Sequence, residues 1–230
     1  MDELLLSAAA GVAFLHTLMG PDHYLPFLML AGARKWGWAR TLTVTGICGM
    51  GHVAGSLLLG VAGLAIGASV ASIDQLQLWR ADWAAWLLVA FGFAYAMWGL
   101  RTALRNRRDL HAHTHMGRVH IHGHASTPHQ HADNHGDTVT FWMLLLVFIL
   151  GPCEPLVPLF ILPASRGLWD LAALTAAVFA VVTIGTMLSL TALGLAGLKH
   201  ISFPWAEQWG HALAGAAVAT SGLAIIVFGL

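Results

Sequence analysis

An all-α integral membrane protein is the fold class predicted here: six transmembrane helices forming a three-plus-three inverted repeat, with helices one and four broken. Three observations predict it. Of 230 residues, 57% are hydrophobic and only 10% charged, whereas ordinary soluble domains are about a quarter charged; mean hydropathy is +0.71. Six apolar stretches reach the roughly 20 residues that a helix needs to span a bilayer. Two of those stretches are interrupted by Gly-Pro, at Gly20-Pro21 and Gly151-Pro152, in matching places.

The spans follow in order. The first covers 4–30; its leading MDELLLSAAAGVAFL lacks the basic region of a signal peptide and is expected to be retained as the start of helix one. The others cover 41–67, 82–100, 139–163, 168–198 and 208–230, leaving no room for a soluble domain. Residues 1–104 form a first three-helix repeat, 105–137 a histidine-rich loop, and 138–230 the second, inverted repeat. The repeat is visible in the residues. GPDHYLPFLML from Gly20 matches GPCEPLVPLFIL from Gly151, GHVAGSLLLGVAGL from Gly51 matches GTMLSLTALGLAGL from Gly185, and FGFAYAMWGL from Phe91 matches SGLAIIVFGL from Ser221. The offsets are 131, 134 and 130 residues. Three helices repeated are an odd number of crossings, so the second copy is inverted. Inverted repeats are a transporter plan, with the substrate site where broken helices meet at the midplane.

Charge assigns the sides. Arg34, Lys35, Arg40, Arg101, Arg105, Arg107, Arg108, Arg118 and Lys199 fall in loops on one side, and only Arg80 and Arg166 on the other. By the positive-inside rule both termini face outward and residues 105–137 face the cytoplasm, in a cell (inner) membrane. The expected partners are membrane lipid and a transported ion, with no nucleic acid.

Ionisable groups inside an apolar span are costly and default to function. His16 and His23 would lie about 10.5 Å apart along an unbroken helix at 1.5 Å per residue. Pro21 removes a backbone donor and clashes with the preceding turn, so a break there brings His16, Asp22 and His23 around one point. Span two adds His52 in GMGHVAGS, and span four adds Cys153 and Glu154, the repeat counterparts of Asp22 and His23. Imidazole with carboxylate, and thiol at need, suits first-row divalent metals. The plainer alternatives are an interhelical hydrogen bond for His52 and a polar clasp or proton carrier for Glu154. The loop contributes His111, His113, His115, His120, His122, His124, His129, His131 and His135, a composition that reads as accessory metal binding by a flexible tract. His200 and His211 are read as interfacial. Cys48 and Cys153 both lie in spans, where they say nothing about redox compartment.

HTLMGPDH resembles the His-x4-Asp-His signature of the nickel–cobalt transporter (NiCoT/NicO) family, with one extra residue before Asp-His, and GMGHVAGS resembles that family's second-span histidine. GPCEPLVP is similar to the Pro-Cys-x-x-Pro element of the DsbD/CcdA cytochrome-c-biogenesis membrane proteins. The chain as a whole looks like the UreH-like transmembrane branch between the two. The resemblance covers nearly the whole chain but rests on about twenty specific residues. The first relative implies transport of nickel or cobalt, with zinc or iron as further candidates, and no permanently bound cofactor or enzyme activity. The second implies a thiol–disulfide electron carrier, which needs one cysteine at matching places in each repeat; here Cys153 is matched by Asp22. Transport is therefore the expected function, with protons or an unseen ATPase partner as the driving force, because no GxxxxGK[ST] motif is present.

Overall fold

The protein is described by a computed structural model covering residues 2–67, 70–108, 110–115, 118–123, 134–151, 153–198 and 204–228. Eight α-helices are described: α1 (Asp2–Met19), α2 (Leu25–Arg34), α3 (Trp38–Ala65), α4 (Val70–Arg108), α5 (Asn134–Leu150), α6 (Leu156–Ala164), α7 (Trp169–Leu198) and α8 (Pro204–Phe228). Five of them contain stretches long and apolar enough to cross a membrane: α1, α3, residues 75–105 of α4, residues 169–197 of α7 and residues 209–227 of α8. These helices give the chain the character of a helical membrane protein.

Both Gly-Pro sites interrupt helix. A single 3-10 turn, Pro21–His23, separates α1 from α2, and α5 and α6 are separated at 151–155. Pro21 cannot donate to the carbonyl four residues back; His23 N–H donates instead to Gly20 O at 3.1 Å and Tyr24 N–H to Pro21 O at 3.3 Å.

Two expectations are corrected. The third span was expected over 82–100, but α4 runs from Val70 to Arg108. Hydropathy falls across QLQLWRAD, yet no proline or glycine stops the helix there, so the backbone continues through Arg80 and Asp82. Arg80, counted as a loop charge, is therefore a half-buried residue within a helix. The histidine-rich segment was expected to be a flexible tract; two antiparallel strands, β1 (Leu110–His115) and β2 (Arg118–Gly123), are described in it. Their register pairs His111 with His122 and His113 with His120. Alternation with Val119 and Ile121, good strand formers, favours this pairing. His124, His129, His131 and His200 lie outside the described residues.

Helix packing gives the molecule two sides. α4 and α8 cross antiparallel: a Cβ on Gly99 would meet Ala212, one on Gly92 would meet Gly215 and Ala219, and one on Gly222 would meet Ala85. α3 runs parallel to α5 and α6, Gly51 lying on Ile149 and Gly60 on Phe160. The start of α1, the α3–α4 and α6–α7 turns and the end of α8 thus share one side, here the terminal side. The end of α2, the hairpin and the start of α8 share the other, the loop side. Each half has its own core. Ala13, Val53, Leu156, Phe160, Ala172 and Phe179 pack in the terminal half. Phe27, Leu30, Cys48, Tyr95, Met187 and Ala214 are among those that pack in the loop half.

Candidate metal centre

The break after α1 builds half of the centre. Gly20 N–H still donates to His16 O at 3.0 Å, so His16 sits on a regular last turn. The 3-10 turn then folds Asp22 and His23 back over it. Gly20 is required by this close approach: a Cβ there would stand 2.6 Å from His23 Nδ1 and 2.8 Å from Asp22 Oδ1. The His16 and His23 rings end 4.9 Å apart, edge to face at 81°, rather than two helical turns apart.

α3 supplies His52, and the second break orients it. Pro152 has no N–H, so the Phe148 carbonyl loses its helical donor. His52 Nδ1–H donates to that carbonyl at 3.3 Å. A carbonyl only accepts, so Nδ1 holds the proton and Nε2 is left with its lone pair. The His52 ring stands 5.0 Å from His23 at 88°. His23 is fixed the same way, Nδ1–H facing Gly20 O at 3.2 Å and Asp22 Oδ1 at 3.3 Å. An imidazole oriented through one nitrogen by a carbonyl or carboxylate, with the other presented, is how metal-ligating histidines are held.

The Nε2 atoms of His16, His23 and His52 are all buried with no hydrogen-bond partner. Buried polar atoms are nearly always paired, so three together are a strong departure. Cys153 joins them: its ligand atom and those of His16 and His52 all lie within 4.8 Å of one another. Its backbone N–H donates to Ser56 Oγ at 2.8 Å, which anchors the start of the second half-helix against α3.

Among the sequence-predicted residues, His16, Asp22, His23, His52 and Cys153 are thus brought together. Glu154 lies outside the mutual His16–His52–Cys153 group, as His23 and Asp22 do; it is exposed and lines, together with His16, Asp22, His23 and His52, one cavity of about 450 Å³. The physical reason is the turn at 153–155, which points neighbouring residues in different directions. Polar residues not anticipated also shape the site. Arg80 donates to Ile149 O at 2.7 Å and to Gly55 O at 3.5 Å, taking a carbonyl that the second break frees. The signal was present in sequence: Gly-Pro after LLLVFIL implies orphan carbonyls that need donors from other helices.

His211, expected at an interface, is half-buried and bonded to Tyr95, with Nδ1 2.8 Å from the hydroxyl. Cys48 is a buried free thiol in the loop-half core, whereas Cys153 belongs to the terminal-half core. Compared with protein-family models, curated proteins and solved structures, the chain matches none.

Proposed function

We propose that this chain carries a divalent transition-metal ion across a membrane, through the His16–His23–His52–Cys153 centre, by alternating access of two inverted repeats. The observation that carries the reading is the set of three buried, unpartnered imidazole nitrogens converging at the point where both broken helices end. Nickel or cobalt is the favoured cargo, by resemblance to the nickel–cobalt transporters, with zinc or iron(II) next. Metal–nitrogen and metal–thiolate bonds of about 2.1 and 2.3 Å would draw together the His16, His52 and Cys153 ligand atoms, which lie within 4.8 Å of one another. A soft thiolate with imidazoles selects against calcium and magnesium, which take oxygen ligands. Binding deprotonates the thiol, so metal occupancy is linked to proton release, and protons serve as the coupling ion.

Reading α1 with α2, and α5 with α6, as single broken spans gives six crossings. The α4–α8 crossing supports the inverted repeat at the level of atoms. A Cβ on Gly92 would meet Gly215 O and Ala219 N, and one on Gly222 would meet Ala85 O and Val89 N. Moving each residue by the 130-residue offset turns the first pair of contacts into the second. The charge bias places the terminal side outside the cell and residues 105–137 in the cytoplasm, with the histidine hairpin as an accessory binder. The electron-carrier alternative requires Cys48 and Cys153 to act as a pair, and their separation into two cores speaks against it.

The test is a metal-by-metal flux panel in vesicles reconstituted with the full chain, beside calorimetric titration of the same protein. Saturable binding and flux of nickel or cobalt, with no response to magnesium, is the expected result. Absence of transition-metal binding overturns the reading.

A further inference from the structure

The two halves of the molecule are not equally closed. On the terminal side a cavity of about 450 Å³ runs to the histidines between α1, α4, α5 and α8, walled by Leu15, Met19, Ala84, Leu88, Phe148 and Ile225. α4 contributes Ile73 to the large buried cluster of that half, whereas α8 packs on a small one through Val218, against Leu88 and Val147. On the loop side the buried core includes Phe27 and Leu30 of α2, Tyr95 of α4 and Ala214 of α8.

One polar cluster ties this plug together. Arg34, the last residue of α2, donates from Nε to the Tyr95 hydroxyl at 3.2 Å, and its guanidinium lies 5.3 Å from the centre of the Tyr95 ring. Arginine accepts nothing, so the hydroxyl's own proton goes to His211 Nδ1, 2.8 Å away on α8. Trp98 covers His211 edge to face at 5.1 Å. A single hydroxyl thus bridges α2, α4 and α8, the three elements that must part if the site is to open toward the loop side.

We propose that Arg34, Tyr95 and His211 form the loop-side gate of the transport path, latched by the Tyr95 hydroxyl, and that the structure is the state open to the terminal side. The proposal rests on the transport reading and adds the device that separates its two states. In an inverted repeat each half can adopt the other's arrangement, so closing the terminal cavity accompanies withdrawal of α2 from α8.

The geometry offers a lock. A Cβ on Gly210 would lie 3.9 Å from Ala33 Cα, so α2 and α8 approach closely beside the gate, and Ala33→Cys with Gly210→Cys places two thiols there for oxidative cross-linking. In vesicles the oxidised double variant is expected to stop metal flux, and a reductant to restore it, while metal offered on the terminal side still binds with unchanged affinity. A second arm needs neither metal nor cross-link. Cys48, fully buried in the plug, reports opening when an impermeant thiol reagent is applied to one side and the modified residue is identified by mass. Tyr95→Phe, which keeps the ring and removes the latch, is expected to raise Cys48 labelling from the loop side roughly tenfold, as lost hydrogen bonds shift the population. Wild-type flux through fully cross-linked protein, or unchanged Cys48 labelling in folded Tyr95→Phe, overturns the gate. Failure of the unmodified protein to bind or move metal instead overturns the transport reading, and the labelling arm still judges the gate.

Discussion

At the scale of single residues, the centre depends on which nitrogen each histidine presents. His23 and His52 are each held through Nδ1 by an oxygen acceptor, leaving Nε2 turned inward and unpartnered. Under the transport reading, truncating either removes a ligand and leaves the neighbouring imidazoles buried without one. His23→Ala and His52→Ala are therefore expected to weaken metal binding at least tenfold, about 1.4 kcal/mol, in calorimetric titration of protein that still melts cooperatively. Asp22→Asn keeps the shape but loses the charge facing His23, and should approach the same loss. Cys153→Ser exchanges a soft ligand for a hard one; it is expected to move preference away from nickel, cobalt and zinc toward manganese in a competition panel. Glu154→Gln, on the exposed cavity wall, should leave equilibrium affinity within a few-fold and slow entry of the ion. A tenfold loss there would place the carboxylate among the ligands.

At the scale of elements, the broken helices need outside donors and acceptors, and α4 supplies one. Arg80 satisfies Ile149 O, freed where α5 ends. Arg80→Ala leaves that carbonyl without its donor, at a cost of about 1–3 kcal/mol, and Arg80→Lys is expected to recover part of it. Melting temperatures of the two variants in the same detergent check this, and equal values would show that the arginine is merely surface. The α4–α8 crossing is the other element-scale dependency. Gly92 lies where any Cβ would press on Gly215 O and the Ala219 backbone, and backbone moves far less readily than a side-chain tip. Gly92→Val should destabilise by about 1–3 kcal/mol, the range for overpacking, and under the transport reading it should also lower flux.

For the whole molecule, sidedness and the histidine hairpin are the features to test. A cysteine added near Ser126 is expected to react with an impermeant reagent only from the cytoplasm, and reaction from outside intact cells would reverse the topology drawn from the basic residues. Deleting residues 111–135 should reduce sensitivity to low metal and leave flux measurable at saturation, because the buried centre lies in the helices and not in the hairpin. Complete loss of flux in a folded deletion would place the hairpin on the path.

Helical membrane character, the two breaks and the cluster's histidines are legible in the chain alone, because each rests on local chemistry. Apolar length specifies a span, proline removes a donor, and a titratable group in an apolar run is costly without a use. Gly20-Pro21 sufficed to expect His16 and His23 together. What sequence could not decide is what contacts from distant segments decide. The α4 helix runs on through Arg80 because nothing local stops it, and the carbonyl that receives this arginine comes from α5, 69 positions later. Cys153 and Glu154 are adjacent, yet Cys153 is buried among the histidine ligand atoms while Glu154 lines the exposed cavity those histidines also reach, a difference set by the turn and by Ser56 on α3. Tyr95 and His211 carry no motif at all. They meet because small residues let α4 and α8 cross closely, and only that packing places one hydroxyl where three helices converge.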